Sequence, residues 1–308
     1  MPIRLMENFR AVFYAPYYAT IALGYYKREG LNVQLLTSAA PGDAVPKLID
    51  GAIDLTWGGP MRVMKAHDQD SHSPLVNFCE TVSRDPFFLI GQRTQRPFCL
   101  ADLEHLRFAS VSEVPTPWMC LQQDLRDQGI DPGRLSRFSD RIMIRNYEAL
   151  LAGDLNVVQT FEPFVSMAER DRAGEVLYAA STRGPTAYTA FISTRAACAI
   201  YRDEFAAMTR ATSRTLAWLY HNSPEELARV VAPFFPELPP EVLAPSLRRY
   251  RDAGLWSRET RMNPEGFARL AQSLQSGGFT ARMPRYEECI EPFLNEVDAK
   301  QTLTRDVH

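Results

Sequence analysis

YAPYYATIALGYYKREGLNVQLL, residues 14–36, decides the fold. Apolar and aromatic residues recur at helical spacing through YYATIALGYYKREG. Lys27 and Arg28 fall in its last turn, and Gly30 stands where a left-handed C-terminal stop is wanted. LNVQLLT then reads as a strand. Upstream, Ile3–Leu5 is a first strand, and the loop ENFRAVFYAP leads into the helix. Downstream, PGDAVPKLIDG is a short helix closed by Gly51, and AIDLTW is a third strand. This β-α-β-α-β alternation predicts a parallel sheet covered by helices.

From Pro74 the pattern changes. PLVNFCETV and FFLIGQ are strand-like runs separated by SRDP, a natural crossing into a second unit. There LRFASV, RIMIRN and NVVQTF read as strands, and PWMCLQQDLRDQG and YEALLAGD as helices. TAFIST is a returning strand, and the chain reads as almost entirely helical from about Arg202. LIDGAIDLTWGGP and LLAGDLNVVQTFEP share one pattern: a helix end, a glycine, an acidic or amide residue, an apolar strand and a proline turn. Chance would also produce some of this, because helix–Gly–strand junctions are common in α/β proteins. Two lobes are the expected organisation, lobe 1 comprising 1–85 and 187–308 and lobe 2 comprising 86–186. Crossings near Ser83–Pro86 and Gly184–Tyr188 would leave a cleft at the carboxyl ends of both sheets, where open α/β sheets bind ligands.

Composition narrows the partners. The chain has 308 residues, 45% hydrophobic and 23% charged, with a net charge of −3. That balance suits a globular protein larger than a single core, and it opposes a nucleic-acid or anionic-membrane partner. No apolar run is long enough to span a bilayer. MPIRLMENFR lacks the features of a secretory signal, so the chain as it stands reads as cytoplasmic, or as periplasmic if a leader precedes it. The five cysteines are scattered without a CxxC and read as small buried hydrophobes in a reducing compartment. His67 and His72, in AHDQDSHS, have the polar context of a solvated loop, so no metal and no cofactor is expected.

The opening stretch resembles that of the nitrate/sulfonate/taurine-type substrate-binding proteins of ABC transporters. That group also contains thiamine-pyrimidine precursor binding proteins and thiamine-pyrimidine synthases. Gly24, Tyr25, Tyr26, Glu29, Gly30 and Leu31 carry the resemblance, followed by Leu48, Gly51, Ile53 and Asp54. LADLEHLRFASV is similar to the family's segment in the second lobe, with His105 in place of a glycine, and the Gly-x-apolar-Asp element recurs with Asn156 in place of Asp. The resemblance implies a two-lobed, type II periplasmic-binding-protein-like α/β fold with a helical C-terminal region. It further implies hinge closure on a small solute and delivery to an ABC transporter permease.

Topology aims a set of groups at the cleft. Asn8, Phe9, Arg10, Phe13, Tyr14 and Tyr17 come from the first loop and helix. The third strand's end supplies Trp57, Gly58 and Gly59, with Arg62 one helical turn in; Ser112, Glu113, Thr116 and Trp118 follow the first strand of lobe 2. Gln159, Thr160, Phe161 and Glu162 follow its third strand, and Tyr188 lies at the return crossing. Bare amides at Gly58 and Gly59 and the planar fork of Arg62 suit an anion, and the rings suit a flat ligand. Trp57 and Arg62 would form a stack-and-clamp pair. Core packing is the competing reading for Phe13, Tyr14 and Phe161, a surface ion pair for Arg10, and helix initiation for Glu162.

An enzyme of the same fold, acting on a small aromatic acid or pyrimidine precursor, is the alternative. Tyr14, Arg62, Glu162 or Cys120 would then serve as acid, base or anion holder. Enzymatic members of the resembling group carry a cysteine cluster in the second half, and lysine and histidine near the third strand. Here the second half has only Cys198 and Cys289, and Gly58 and Arg62 occupy the lysine and histidine positions. The desulfinase-type relatives place a nucleophilic cysteine in the first loop, and ENFRAVFYAP has none.

Overall fold

The computed structural model describes residues 2–38, 40–92 and 96–297. Two mixed five-stranded sheets, each with helices on its faces, make an α/β fold of two lobes. In lobe 1, β1 (Ile3–Met6) lies between β2 (Val33–Leu36) and β3 (Leu55–Gly58), all parallel. β4 (Leu75–Val82) forms the far edge of this sheet. In lobe 2, β5 (Phe88–Gly91), β6 (Phe108–Ala109), β7 (Arg137–Phe138), β8 (Val157–Thr160) and β9 (Glu175–Ala179) give the order β7-β6-β8-β5-β9. β10 (Thr189–Thr194) returns to lobe 1 and pairs antiparallel with β3 and β4, completing the order β2-β1-β3-β10-β4.

The helices follow in chain order. α1 (Ala15–Ala22), α2 (Tyr25–Arg28), α3 (Ala44–Ile49) and α4 (Met61–Gln69) belong to lobe 1. α5 (Thr116–Asp127), α6 (Met143–Leu151) and α7 (Phe164–Arg170) belong to lobe 2. After β10 come α8 (Arg195–Ile200), α9 (Arg202–His221), α10 (Pro224–Val231), α11 (Pro240–Asp252), α12 (Pro264–Ser276), α13 (Tyr286–Cys289) and α14 (Pro292–Asn295).

Three local expectations change. The long first helix is two helices, because Gly24 takes φ +70° and ends α1 before Gly30, itself at φ +78°, ends α2. RIMIRN is not a strand: β7 precedes it, and Met143 begins α6. Met143, Asn146, Tyr147 and Leu150 are the buried positions there, a helical spacing, while Ile142 and Ile144 are exposed. The Glu113 carboxylate accepts from the Met143 amide at 2.8 Å and fixes that helix start. β9, in EVLYA, was not expected; it is half-buried and lacks a clean alternation.

Each lobe locks its central strand to its third in the same way. In lobe 1, Asp54 accepts from the Arg4 amide at 2.7 Å and from its guanidinium at 2.6 Å. In lobe 2, Asn156 accepts from the Arg107 amide at 2.9 Å and from its guanidinium at 3.3 Å. The crossings are pinned by charge. Arg183, beside the second crossing, pairs with Asp85 in the first at 2.6 Å and with Asp124 on α5, and all three side chains are buried or nearly so. Gly266, on α12, lies so close that a Cβ there would meet the Ala187 nitrogen at 3.1 Å. One apolar core runs from α1 and β3 through Phe13, Phe87 and Phe161 into lobe 2.

Candidate functional site

β1 is a buried strand, so its exit loop starts inside the molecule and carries Asn8 (4% exposed) to the carboxyl edge of the sheet. The Asn8 amide nitrogen donates to the Tyr14 hydroxyl at 3.2 Å, and its oxygen accepts from the Gly42 amide at 3.1 Å. Gly42 has φ +93°, and a Cβ on it would sit 2.6 Å from Arg62 Nη1. Only glycine meets both demands. Arg62, in the first turn of α4, thus packs its guanidinium close against the Gly42 backbone. Among the described residues its buried Nε has no hydrogen-bond partner. Burial lowers its pKa from the ordinary value, with Tyr14 opposing. Burial also pushes the Tyr14 hydroxyl well up, so it stays protonated and can donate.

Across the gap, Val114, Pro115 and Thr116 of lobe 2 form the opposing wall, and Phe87 and Tyr188 close it at the crossings. Thr116 opens α5, so the amino ends of α4 and α5 both meet this space, each with positive partial charge. The rings pack edge-to-face: Phe13 on Phe161 at 5.3 Å, Phe87 on Phe161 at 5.1 Å, and Phe13 on Tyr188 at 6.2 Å. The void between the walls is about 30 Å³, room for one or two waters. The lobes are closed.

The cavity gathers Asn8, Phe9, Phe13, Tyr14, Gly59, Arg62, Thr116 and Tyr188 of the sequence-predicted residues. The others lie elsewhere. Trp57 is fully buried, stacked on Tyr17 at 4.7 Å and 4° and capped edge-on by Tyr18 at 5.5 Å. Alternation along β3 sends its side chain to the face covered by α1, so the stack-and-clamp pair does not exist. Tyr17 is core for the same reason, and Gly58 is inside the sheet against Ile192 and Asn8. Arg10 pairs with Glu7 at 2.9 Å and with the Phe234 carbonyl at 3.1 Å. Glu113, with Ser112 beside it, caps α6.

Trp118 packs on Phe108 beneath Arg137, whose guanidinium is 4.3 Å from its ring centre. Gln159 donates to the Pro117 carbonyl at 2.9 Å. Thr160 is buried in β8, and Phe161 stands behind Phe13. Glu162 has no exposed side-chain surface and pairs with Arg249. Met61, Phe87, Val114 and Pro115 line the cavity and were missed. Phe87 could have been found, because it directly follows the crossing that the sequence marks with Asp85–Pro86.

Among the described residues, the lining contains no cysteine, histidine or carboxylate. Cys120 is buried, and desolvation pushes its thiol up to about 12, so it is no nucleophile. Among the described residues no group of three His, Cys, Asp or Glu is placed to hold a metal ion. No helix among them is long and apolar enough to cross a membrane.

A pair of mixed sheets with strand order 2-1-3 in each, joined by two crossings around a central cleft, defines the two-lobed fold of periplasmic binding proteins. Solved structures agree. The ligand-binding component of an ABC-type import system from Staphylococcus aureus, solved with zinc bound, superposes with a TM-score of 0.75 at 15% identity, covering 97% of this chain and 99% of that one. The aliphatic sulphonate binding protein SsuA of Escherichia coli gives 0.71 at 16% identity, covering 94% and 92%. The chain belongs to the NMT1/THI5-like family, whose model matches residues 12–227. It is also 22% identical over 296 residues to YtlA of Bacillus subtilis (strain 168), named as a candidate binding protein, covering 96% of this chain and 89% of that one.

Proposed function

We propose that the chain captures a small solute between its lobes as the binding component of an ABC-type import system, and that the solute carries an oxyanion, sulfonate or carboxylate. One observation carries the reading: the Arg62 guanidinium stands at the cleft, and its buried Nε has no hydrogen-bond partner among the described residues. Buried charges are normally paired, so this cation supports a missing negative partner. The Tyr14 hydroxyl, the Thr116 side chain and the amino ends of α4 and α5 would share its charge. Phe9, Phe13, Phe87 and Tyr188 would cover the apolar remainder of the solute, flat or short. The sulphonate-binding neighbour points the same way. Release from the open form to a permease completes the role.

Among the described residues, the enzymatic reading finds on the cavity wall only Tyr14 and Tyr188, which burial holds protonated, and the Arg62 guanidinium. A neutral pyrimidine-like ligand is the second binding reading, favoured by the aromatic wall; either ligand requires a wider cleft than the present 30 Å³.

Isothermal titration calorimetry against methanesulfonate, benzenesulfonate, benzoate and an uncharged aminopyrimidine separates these readings. Binding of the anions, with loss in Arg62→Ala, is the expected outcome. Preference for the uncharged ring, undiminished by that substitution, would overturn the proposal.

A further inference from the structure

We infer that Arg249 is a cross-lobe latch that sets the closed fraction of the protein without touching the solute. The inference rests on the reading above, that capture occurs by closure of the cleft. Ser246, Arg249 and Tyr250 lie on one face of α11, at the three- and four-residue spacing that brings side chains together on a helix. α11 belongs to lobe 1: it packs on α10 and on the Val12–Tyr14 turn. Trp256, just after it, donates its indole N–H to the Phe13 carbonyl at 2.9 Å. The face carrying those three residues looks onto lobe 2, where Glu162 joins the end of β8 to the start of α7.

The contacts across the gap are dense. One Glu162 carboxylate oxygen accepts from Arg249 Nε at 2.7 Å and from the Ser166 hydroxyl at 3.0 Å. The other accepts from the Ser166 amide at 2.9 Å and from the Ser246 hydroxyl at 3.1 Å. The Glu162 amide donates to the Tyr250 hydroxyl at 2.9 Å. A second guanidinium nitrogen of Arg249 reaches Glu169 on α7. Glu162 is wholly buried by this arrangement, and none of Ser246, Arg249 or Tyr250 lines the solute cavity.

Opening the lobes would return the Glu162 carboxylate and the Arg249 fork to water. The attraction is therefore made in full only when closed, as a latch requires. Other polar bridges join the lobes: Ser276 to Gln123 at 2.7 Å and Arg126 to Ser276 at 3.4 Å are exposed and contribute less, and Arg84 to the Ser181 carbonyl at 2.9 Å lies at the crossings. Apparent affinity scales with the competent fraction, so weakening the latch lowers affinity by the factor in which the closed fraction falls.

Double electron–electron resonance on the full chain tests this without a ligand. Spin labels go on Ile49→Cys in lobe 1 and Leu151→Cys in lobe 2, both exposed positions, in a Cys99→Ser background that removes the exposed native thiol. The expected result is a short distance in the parent, a longer one in Arg249→Met, and a mostly restored short one in Arg249→Lys. Ser246→Ala, which leaves the ion pair in place, should shift the distribution less and keeps the test available if Arg249→Met fails to fold. Unchanged distributions in both variants would overturn the latch, whatever solute binds. Benzenesulfonate titrations report separately: a Kd raised about tenfold in Arg249→Met, with most of the change in dissociation rate, is expected. A shifted distance with no binding of any panel anion would leave the latch standing and sink the anion-capture reading instead.

Discussion

The two lobes run the same strand order and lock it with an arginine held by the Asp or Asn one position before the paired strand, yet the equivalent strand ends are filled differently. In lobe 1, β3 runs into Gly58, Gly59 and Pro60, and the missing side chains leave a gap into which α4 presents Arg62. In lobe 2, β8 runs into Phe161 and Glu162, whose ring and carboxylate fill the corresponding gap from within. One turn borders the cavity, and the other is closed by its own chain. A duplicated scaffold fixes where a functional group can stand; side-chain volume at two or three positions decides whether a ligand or the protein occupies the place.

The largest test of this contrast removes the ring beneath the open turn. Trp57→Ala, a fully buried tryptophan stacked on Tyr17, should destabilise the protein by about 3–5 kcal/mol. Gln159→Ala, at the matching place on β8, should cost about 1–2 kcal/mol. Thermal or urea denaturation decides it. Equal, small losses would mean that Trp57 is not the keystone of the lobe 1 end.

Arg62→Ala should weaken binding of a panel sulfonate about tenfold to a hundredfold, the worth of hydrogen bonds to a charged group. It should leave stability within about 0.5 kcal/mol, because no native ion pair is broken. Calorimetry and melting curves together check both halves. A large stability loss without altered binding would place Arg62 with Trp57 among the packing residues.

The buried carboxyls of the two lobes sharpen the contrast further. Glu162 has Arg249, whereas Glu80 on β4 holds only the Asn263 amide, with one oxygen unpartnered. Burial pushes the Glu80 carboxyl from 4.5 up to about 8. A raised carboxyl binds its proton in the folded state after the unfolded state has lost it, so its contribution is complete below pH 4.5 and is lost as pH rises through about 8. Between those limits the wild type should lose Tm more steeply than Glu80→Gln. Parallel curves would show that Glu80 is hydrated in solution.

The smallest effect is at the strand starts. Asp54→Asn should lose about 1 kcal/mol, since Arg4 is partly exposed, while Asn156→Asp should be neutral or slightly stabilising. Matched losses would mean that the charge on Asp54 adds nothing to the shared hydrogen bonds.

The lobe architecture, the crossings and the open turn were legible because glycine, proline and alternation are local signals. So were Arg62, Tyr14, Thr116 and Tyr188, which topology alone carries to the carboxyl edges. Trp57 was misplaced because its position after the strand was weighed more heavily than the parity of its side chain. Glu162 was placed at the solute because nothing near it in sequence announces Arg249, 87 residues away on a helix whose amphipathic pattern names no partner. The half-buried β9 was missed because neither face repeats.

The ring stack beneath the cleft also makes the protein self-reporting. Tyr14 faces the cavity and lies 6.1 Å from the Trp57 indole, which stacks on Tyr17 and is shielded from water. Any solute that shifts Tyr14 or the Arg62 charge changes the local field at an indole it never touches. The wavelength and yield of tryptophan emission thus become a label-free gauge of occupancy, with Trp57→Phe as the variant in which that signal disappears.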